Sequence, residues 1–173
     1  MTSALIQIVS HVVQEKYVSE EAFFQEELGL THDQWESWKK GEYLIPYQQT
    51  NRIARLFTDY EWMLVQKVVR HADINVDASR DAVKEYLFLK YQIAKSWVNH
   101  GLAQLKWFQS DANDPDSTRK SNMTILQLIA DYQFWGYQDV LEVRLPGVMR
   151  QQLEKDEVKL LQYFDDEAEK LSK

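Results

Sequence analysis

Between Thr31 and Pro46 the chain reads THDQWESWKKGEYLIP, a segment in which both ends of a helix and its buried face are specified locally. Thr31 and Gln34 have the spacing of a capping box, where the threonine hydroxyl accepts from a backbone N–H and the glutamine side chain returns the bond, so a helix is predicted to start at Thr31. Trp35 and Trp38 share one face and are expected to point inward, while Glu36, Ser37, Lys39 and Lys40 lie elsewhere around the turn. The two lysines suit the negative end of the helix dipole, and Gly41 takes the left-handed conformation past a helix end most cheaply. The helix is therefore short, with its polar side facing away from the tryptophans.

Residues Glu20 to Leu28 read as a partner helix, with Ser19 as N-cap, Phe23, Phe24 and Leu28 as apolar positions, and Gly29 turning the chain. Two helices separated by a glycine-containing turn make a helix-turn-helix pattern. Gly29-Leu30-Thr31, Trp35, Trp38, Lys40-Gly41 and Pro46 together resemble the second and third helices and following loop of the Cro/CI-type (XRE-like) DNA-binding domain, over roughly Leu5 to Arg70. That resemblance implies a third helix lying in the major groove, with His32, Asp33 and Ser37 at base edges and Thr31 and Lys40 near phosphates. The chain departs from the family pattern at three places. Gln25 stands where a small residue is usual, Glu21 where a phosphate-bonding Gln is common, and Glu42, Tyr43, Leu44 and Ile45 fill a loop that often carries lysines or arginines.

With 173 residues, 45% of them hydrophobic and 27% charged, the chain is long and apolar enough to bury a core without staples. It contains no cysteine, which excludes disulfides and thiolate chemistry. The opening MTSALIQIVSHVVQEK has no basic stretch or cleavage site, and no apolar run reaches membrane-spanning length, so a cytoplasmic protein with no membrane contact is expected. A net charge of −7 opposes binding to nucleic acid, whose phosphates must be neutralised by Lys and Arg. The charge is spread evenly: residues 1–70 carry 7 basic against 10 acidic residues, and residues 71–173 carry 13 against 17. A dipolar surface can still present Lys39, Lys40, Arg52 and Arg55 together.

Elsewhere helical spacing predominates. Leu5, Ile8, Val9, Val12 and Val13 predict a first helix over 3–16; Pro46 opens a fourth, with Ile53, Ala54, Leu56 and Phe57 apolar; a fifth runs from Tyr60 to near His71. The polar segment 71–81 is the expected domain boundary, with Asp77 or Ser79 poised to cap the next helix. A long helical pattern then runs from about Ser79 to Phe108, with Gly101 placed to kink it or admit a close neighbour. Residues 110–122 form a polar loop carrying Pro115, expected to be the most mobile piece, and 123–138 read as helical through Ile125, Leu126, Leu128, Ile129, Tyr132 and Trp135. Val140 to Leu145 alternates, but one such run without a partner makes no sheet, and it is assigned to helix or extended connector. A last helix starts at Pro146 and carries Val148, Leu153, Leu160, Leu161, Phe164 and Leu171.

The fold expected is all-α: a five-helix Cro/CI-like domain over 1–72 and a helical C-terminal region over 73–173 that dimerises or takes a regulatory signal. No phosphate loop or nucleophile elbow is present and no histidine pair has metal-ligand spacing, so neither an enzyme nor a cofactor or metal is expected. The leading expectation is a DNA-binding transcription regulator, acting as a homodimer on double-stranded DNA through Thr31, His32, Asp33, Ser37 and Lys40. Its rival is a module that keeps the scaffold, has lost DNA, and binds a protein partner; Glu21, Gln25 and Tyr43-Leu44-Ile45 favour it.

Overall fold

A computed structural model describes residues 3–75, 77–110 and 118–173, apart from the side chains of 78 and 79. The chain divides into two compact units. The first comprises Met1–Phe57, Val65–Val83 and Pro115–Lys120, the second Thr58–Leu64, Lys84–Asp114 and Ser121–Lys173.

In the first unit, Ile8, Val9, Val12 and Val13 are buried along α1 (Ser3–Lys16) as their spacing predicts. The expected second helix begins at Glu20, where Ser19 Oγ accepts from the Ala22 N–H at 3.1 Å, but over Ala22–Glu27 it is a π-helix. Its wider turn lets the consecutive Phe23 and Phe24, 1% and 2% exposed, both face inward. After the turn at Gly29 (φ 65°), α2 (His32–Lys39) starts at Thr31 with the full capping box. It ends in a Schellman motif, where Gly41 N–H donates to Trp38 O and Glu42 N–H to Ser37 O, with Gly41 at φ 76°. α3 (Tyr47–Ala54) follows Pro46, and the buried Lys16 Nζ donates to the Leu56 carbonyl just past its end. An aromatic ladder ties these elements: Tyr17 to Phe23 at 5.1 Å, Phe23 and Phe24 to Trp35 at 5.9 and 5.7 Å, and Trp35 stacked on Trp38 at 4.7 Å.

α4 (Asp59–Ile74) gives its first turns to the second unit and the rest to the first. A 3-10 turn (Ala78–Asp81) comes next, where Asp77 makes no capping bond; the capping expected of Ser79 lies outside the described side chains.

The second unit corrects the all-α expectation. α5 (Ala82–Asn99) stops well short of Phe108, because Gly101 (φ 63°) terminates it with bonds from Gly101 N–H to Val98 O and Leu102 N–H to Trp97 O. Three antiparallel strands succeed it in the order β1-β2-β3: β1 (Ala103–Gln109), β2 (Met123–Asp131) and β3 (Gln138–Pro146). Leu105 and Trp107, within the expected long helix, instead alternate with Gln104 and Lys106 at the period of a strand. The apolar run in β2 mimics a helix because apolar side chains occupy both of its faces: Leu126 and Leu128 are buried on one, while Ile125, half-buried, and Ile129, buried, stand on the other. The alternating run 140–145 does have a partner, since Val143 pairs with Leu126 and Leu141 with Leu128. Of the expected loop at 110–122, residues 111–117 lie outside the described residues.

The outer edge of β3 is closed by the N-terminus of α4. Thr58 Oγ1 donates to Val140 O at 2.5 Å, and Glu142 N–H donates to Glu61 Oε1 at 3.0 Å. Thr58 and Glu61 also cap each other: Glu61 Oε2 accepts the Thr58 N–H and Thr58 Oγ1 the Glu61 N–H. The last predicted helix is broken into a 3-10 turn (Gly147–Met149), α6 (Arg150–Leu153) and α7 (Glu157–Ser172), because Asp156 Oδ1 caps the N–H groups of Val158 and Lys159. α5 meets α7 through Tyr91 and Phe164, 6.3 Å apart, and through Lys95 and Asp165 at 2.5 Å.

Candidate interaction surface

The two ends of α2 are fixed by bonds within the segment itself: Gln34 N–H donates to Thr31 Oγ1 at 3.3 Å and Thr31 N–H to Gln34 Oε1 at 2.9 Å. Trp35 and Trp38 are wholly buried, which sets the rotation of the helix. Thr31, His32 and Asp33 then stand exposed on its first turn. Asp33, Ser37 and Lys40 step along one flank, i, i+4 and i+7, with Ser37 half-buried and Lys40 exposed. The candidate residues thus lie together on a side that solvent reaches. The His32 ring leans on Phe24, with centroids 6.1 Å apart.

The charge around this flank is mostly negative. Lys39 is engaged from two sides, 2.6 Å from Glu36 Oε1 and 3.0 Å from Glu20 Oε2. Glu20 Oε2 also accepts the Trp35 indole N–H at 3.0 Å, so this carboxylate pins both the helix and its last-turn lysine. Burial pushes the Glu20 carboxyl up, but the hydrogen bonds from Trp35 and Lys39 and the lysine's charge outweigh it and hold the group below its ordinary 4.5. Burial likewise pulls Lys39 down, and its bonds to Glu36 and Glu20 more than reverse that, leaving it above 10.5. Glu21, Asp33 and Glu42 are exposed nearby, with Gln25 Nε2 bonded to Glu21 Oε1 at 2.7 Å. Past Gly41, Leu44 in the loop is 75% exposed and Tyr47, which opens α3, is 79% exposed.

Sequence reasoning missed Glu20 as the organising acid, because its partners Trp35 and Lys39 are 15 and 19 residues away. It also missed a cavity of about 250 Å³ behind α3, lined in part by Arg52, Arg55, Arg119 and Glu27. Two of those arginines are engaged there: Arg52 Nη1 donates to Glu27 O at 2.8 Å, and Arg119 lies over the Tyr17 ring at 4.8 Å and 3.8 Å from Glu27 Oε1. Among the described residues, no group of three or more His, Asp or Glu is placed to hold a metal ion, and no helix is long and apolar enough to cross a membrane. No protein-family model, curated protein or solved structure matches the chain.

Proposed function

We propose that the first unit is a protein-interaction module built on a helix-turn-helix-like arrangement, with the exposed side of α2 and the loop after it as its contact surface. The observation that carries this reading is the engagement of Lys39 by Glu20 and Glu36, which ties up one of the two cations at the end of α2, where several are needed to neutralise phosphates. Exposed Leu44 and Tyr47 beside Glu21, Asp33 and Glu42 suit a partner with an apolar slot and a basic rim. A photo-crosslinker placed at His32 in the full chain tests it. Crosslinks to one protein species, lost on Leu44→Ser with Tyr47→Ser, support the module.

A second reading is favoured by the exposure of Thr31, His32, Asp33 and Lys40 along one side of α2. In it the chain is a DNA-binding transcription regulator whose homodimer places two such helices in successive major grooves. A low-salt mobility shift with duplex DNA that weakens on Lys40→Gln selects this reading over the first.

A further inference from the structure

The loop joining β2 to β3, Tyr132-Gln133-Phe134-Trp135-Gly136-Tyr137, turns four aromatic side chains to solvent: Trp135 is 86% exposed, and Tyr132, Phe134 and Tyr137 are each more than half exposed. Rings left in water forgo the burial that drives folding, and a cluster of them marks a contact surface. The backbone is bent to present them. Gln133 and Trp135 take φ of 51° and 54°, the left-handed region that non-glycine residues rarely enter, ahead of Gly136 at 72°.

The loop is also held in place. Gln133 N–H donates to Asp131 Oδ1 at 2.8 Å, Gln138 Nε2 to Asp131 Oδ2 at 3.2 Å, and Tyr137 N–H to Phe134 O at 3.1 Å. The Tyr132 hydroxyl donates to Asp139 Oδ2 at 2.7 Å, and this bond, with burial and the Asp139 charge, pushes the phenol up to about 12. Phe134 and Trp135 stack at 5.3 Å with planes 16° apart, which makes a single aromatic slab of the two rings. Such preorganisation lowers the entropic cost of binding.

The sign of the charge around the slab narrows the occupant. Between Lys120 and Arg144 the chain holds no basic residue, while Asp131 and Asp139 flank the loop. Nucleic acid and acidic lipid are repelled by such a surface. A cation is drawn to it twice, by the quadrupole of the indole face and by the carboxylates, which keep acceptor capacity beyond their internal bonds.

We propose that the β2–β3 loop docks an arginine- or lysine-bearing segment of a partner protein, its cationic head on the Phe134–Trp135 slab and its N–H groups served by Asp131 and Asp139. This site belongs to the second unit and is independent of the reading of α2, so the two fail separately.

Calorimetric titration of the full chain with a capped peptide alternating Arg and Gly tests it, alongside the same peptide with Glu in place of Arg. The arginine peptide is expected to bind and the glutamate peptide not. Phe134→Ala and Trp135→Gly are each expected to weaken binding by about tenfold, and Asp139→Asn to weaken it and flatten its salt dependence, with circular dichroism unchanged. Glu169→Gln, at an exposed position of α7, is expected to leave affinity as it was and so to exclude a general effect of net charge. The proposal is overturned if the arginine peptide does not bind, or binds Trp135→Gly as well as the parent. It is equally overturned if Trp135→Gly instead abolishes self-association seen by sedimentation, or binding to phosphatidylcholine vesicles.

Discussion

Lys90 Nζ lies 2.8 Å from Glu61 Oε1, and that carboxylate, 1% exposed, also accepts the backbone N–H groups of Thr58 and of Glu142 on β3. One side chain therefore caps a helix, closes a sheet edge and neutralises a half-buried lysine. Glu61→Ala leaves all three donors short of this acceptor and is expected to destabilise the protein by about 3–5 kcal/mol. Lys90→Met keeps the apolar stem but strips the charge from beside a buried carboxylate, and the double variant is expected to cost less than the sum of the two singles. Urea denaturation of the four proteins measures the coupling; strict additivity would show that the pair is incidental.

The ends of α2 are predicted to contribute measurably on their own. Thr31→Ala removes the acceptor for the Gln34 N–H and is expected to cost about 1 kcal/mol. At Gly41 an added Cβ meets nothing within 4 Å, so Gly41→Ala pays only the left-handed backbone term, about 1–2 kcal/mol. Denaturation midpoints that do not move would place the stability of this helix wholly in its tryptophans.

The Glu20–Lys39 pair sets opposite pH limits. Glu20 has its folded pKa lowered, so its contribution is present above the ordinary carboxylate value and is lost as pH falls through the lower folded value. Lys39 has its folded pKa raised, so its contribution is present below 10.5 and is lost as pH rises through the higher folded value. Between those limits the pair holds. Glu20→Gln is expected to flatten the acid limb of a stability–pH curve from repeated urea titrations, and an unchanged limb would assign acid sensitivity to other carboxylates.

Trp135→Gly is expected to make the protein more stable, not less. The ring is 86% exposed and its backbone sits at φ 54°, so glycine relieves strain while little packing is lost, a gain of about 1 kcal/mol after its extra chain entropy. A rise in thermal midpoint together with loss of peptide binding would identify the exposed indole as kept for contact. A fall would mean that the stack on Phe134 supports the hairpin.

The helices of the first unit can be read because their signals are local. Ile8, Val9, Val12 and Val13 repeat at the helical period, and Thr31 with Gln34 closes its own capping bonds. The sheet cannot be read in this way. β2 carries apolar residues on both faces, Ile125 and Ile129 on one and Leu126 and Leu128 on the other, so its sequence lacks the alternation that would distinguish it from a buried helix, and the alternation of β3 gains meaning only from that partner strand. Gly101 signals an interruption, but whether it kinks or ends a helix depends on what Leu102 and Leu105 do next.

What the sequence alone determined is where α2 begins, which side of it is buried and where it stops, because those bonds close within a few residues and need no other part of the chain. Tertiary structure decided that Lys39 is held by Glu20, that Glu61 serves β3, and that the apolar run after Asn122 is a strand. In each case the deciding partner lies many residues away, and only folding brings a distant carboxylate or a neighbouring backbone within bonding distance.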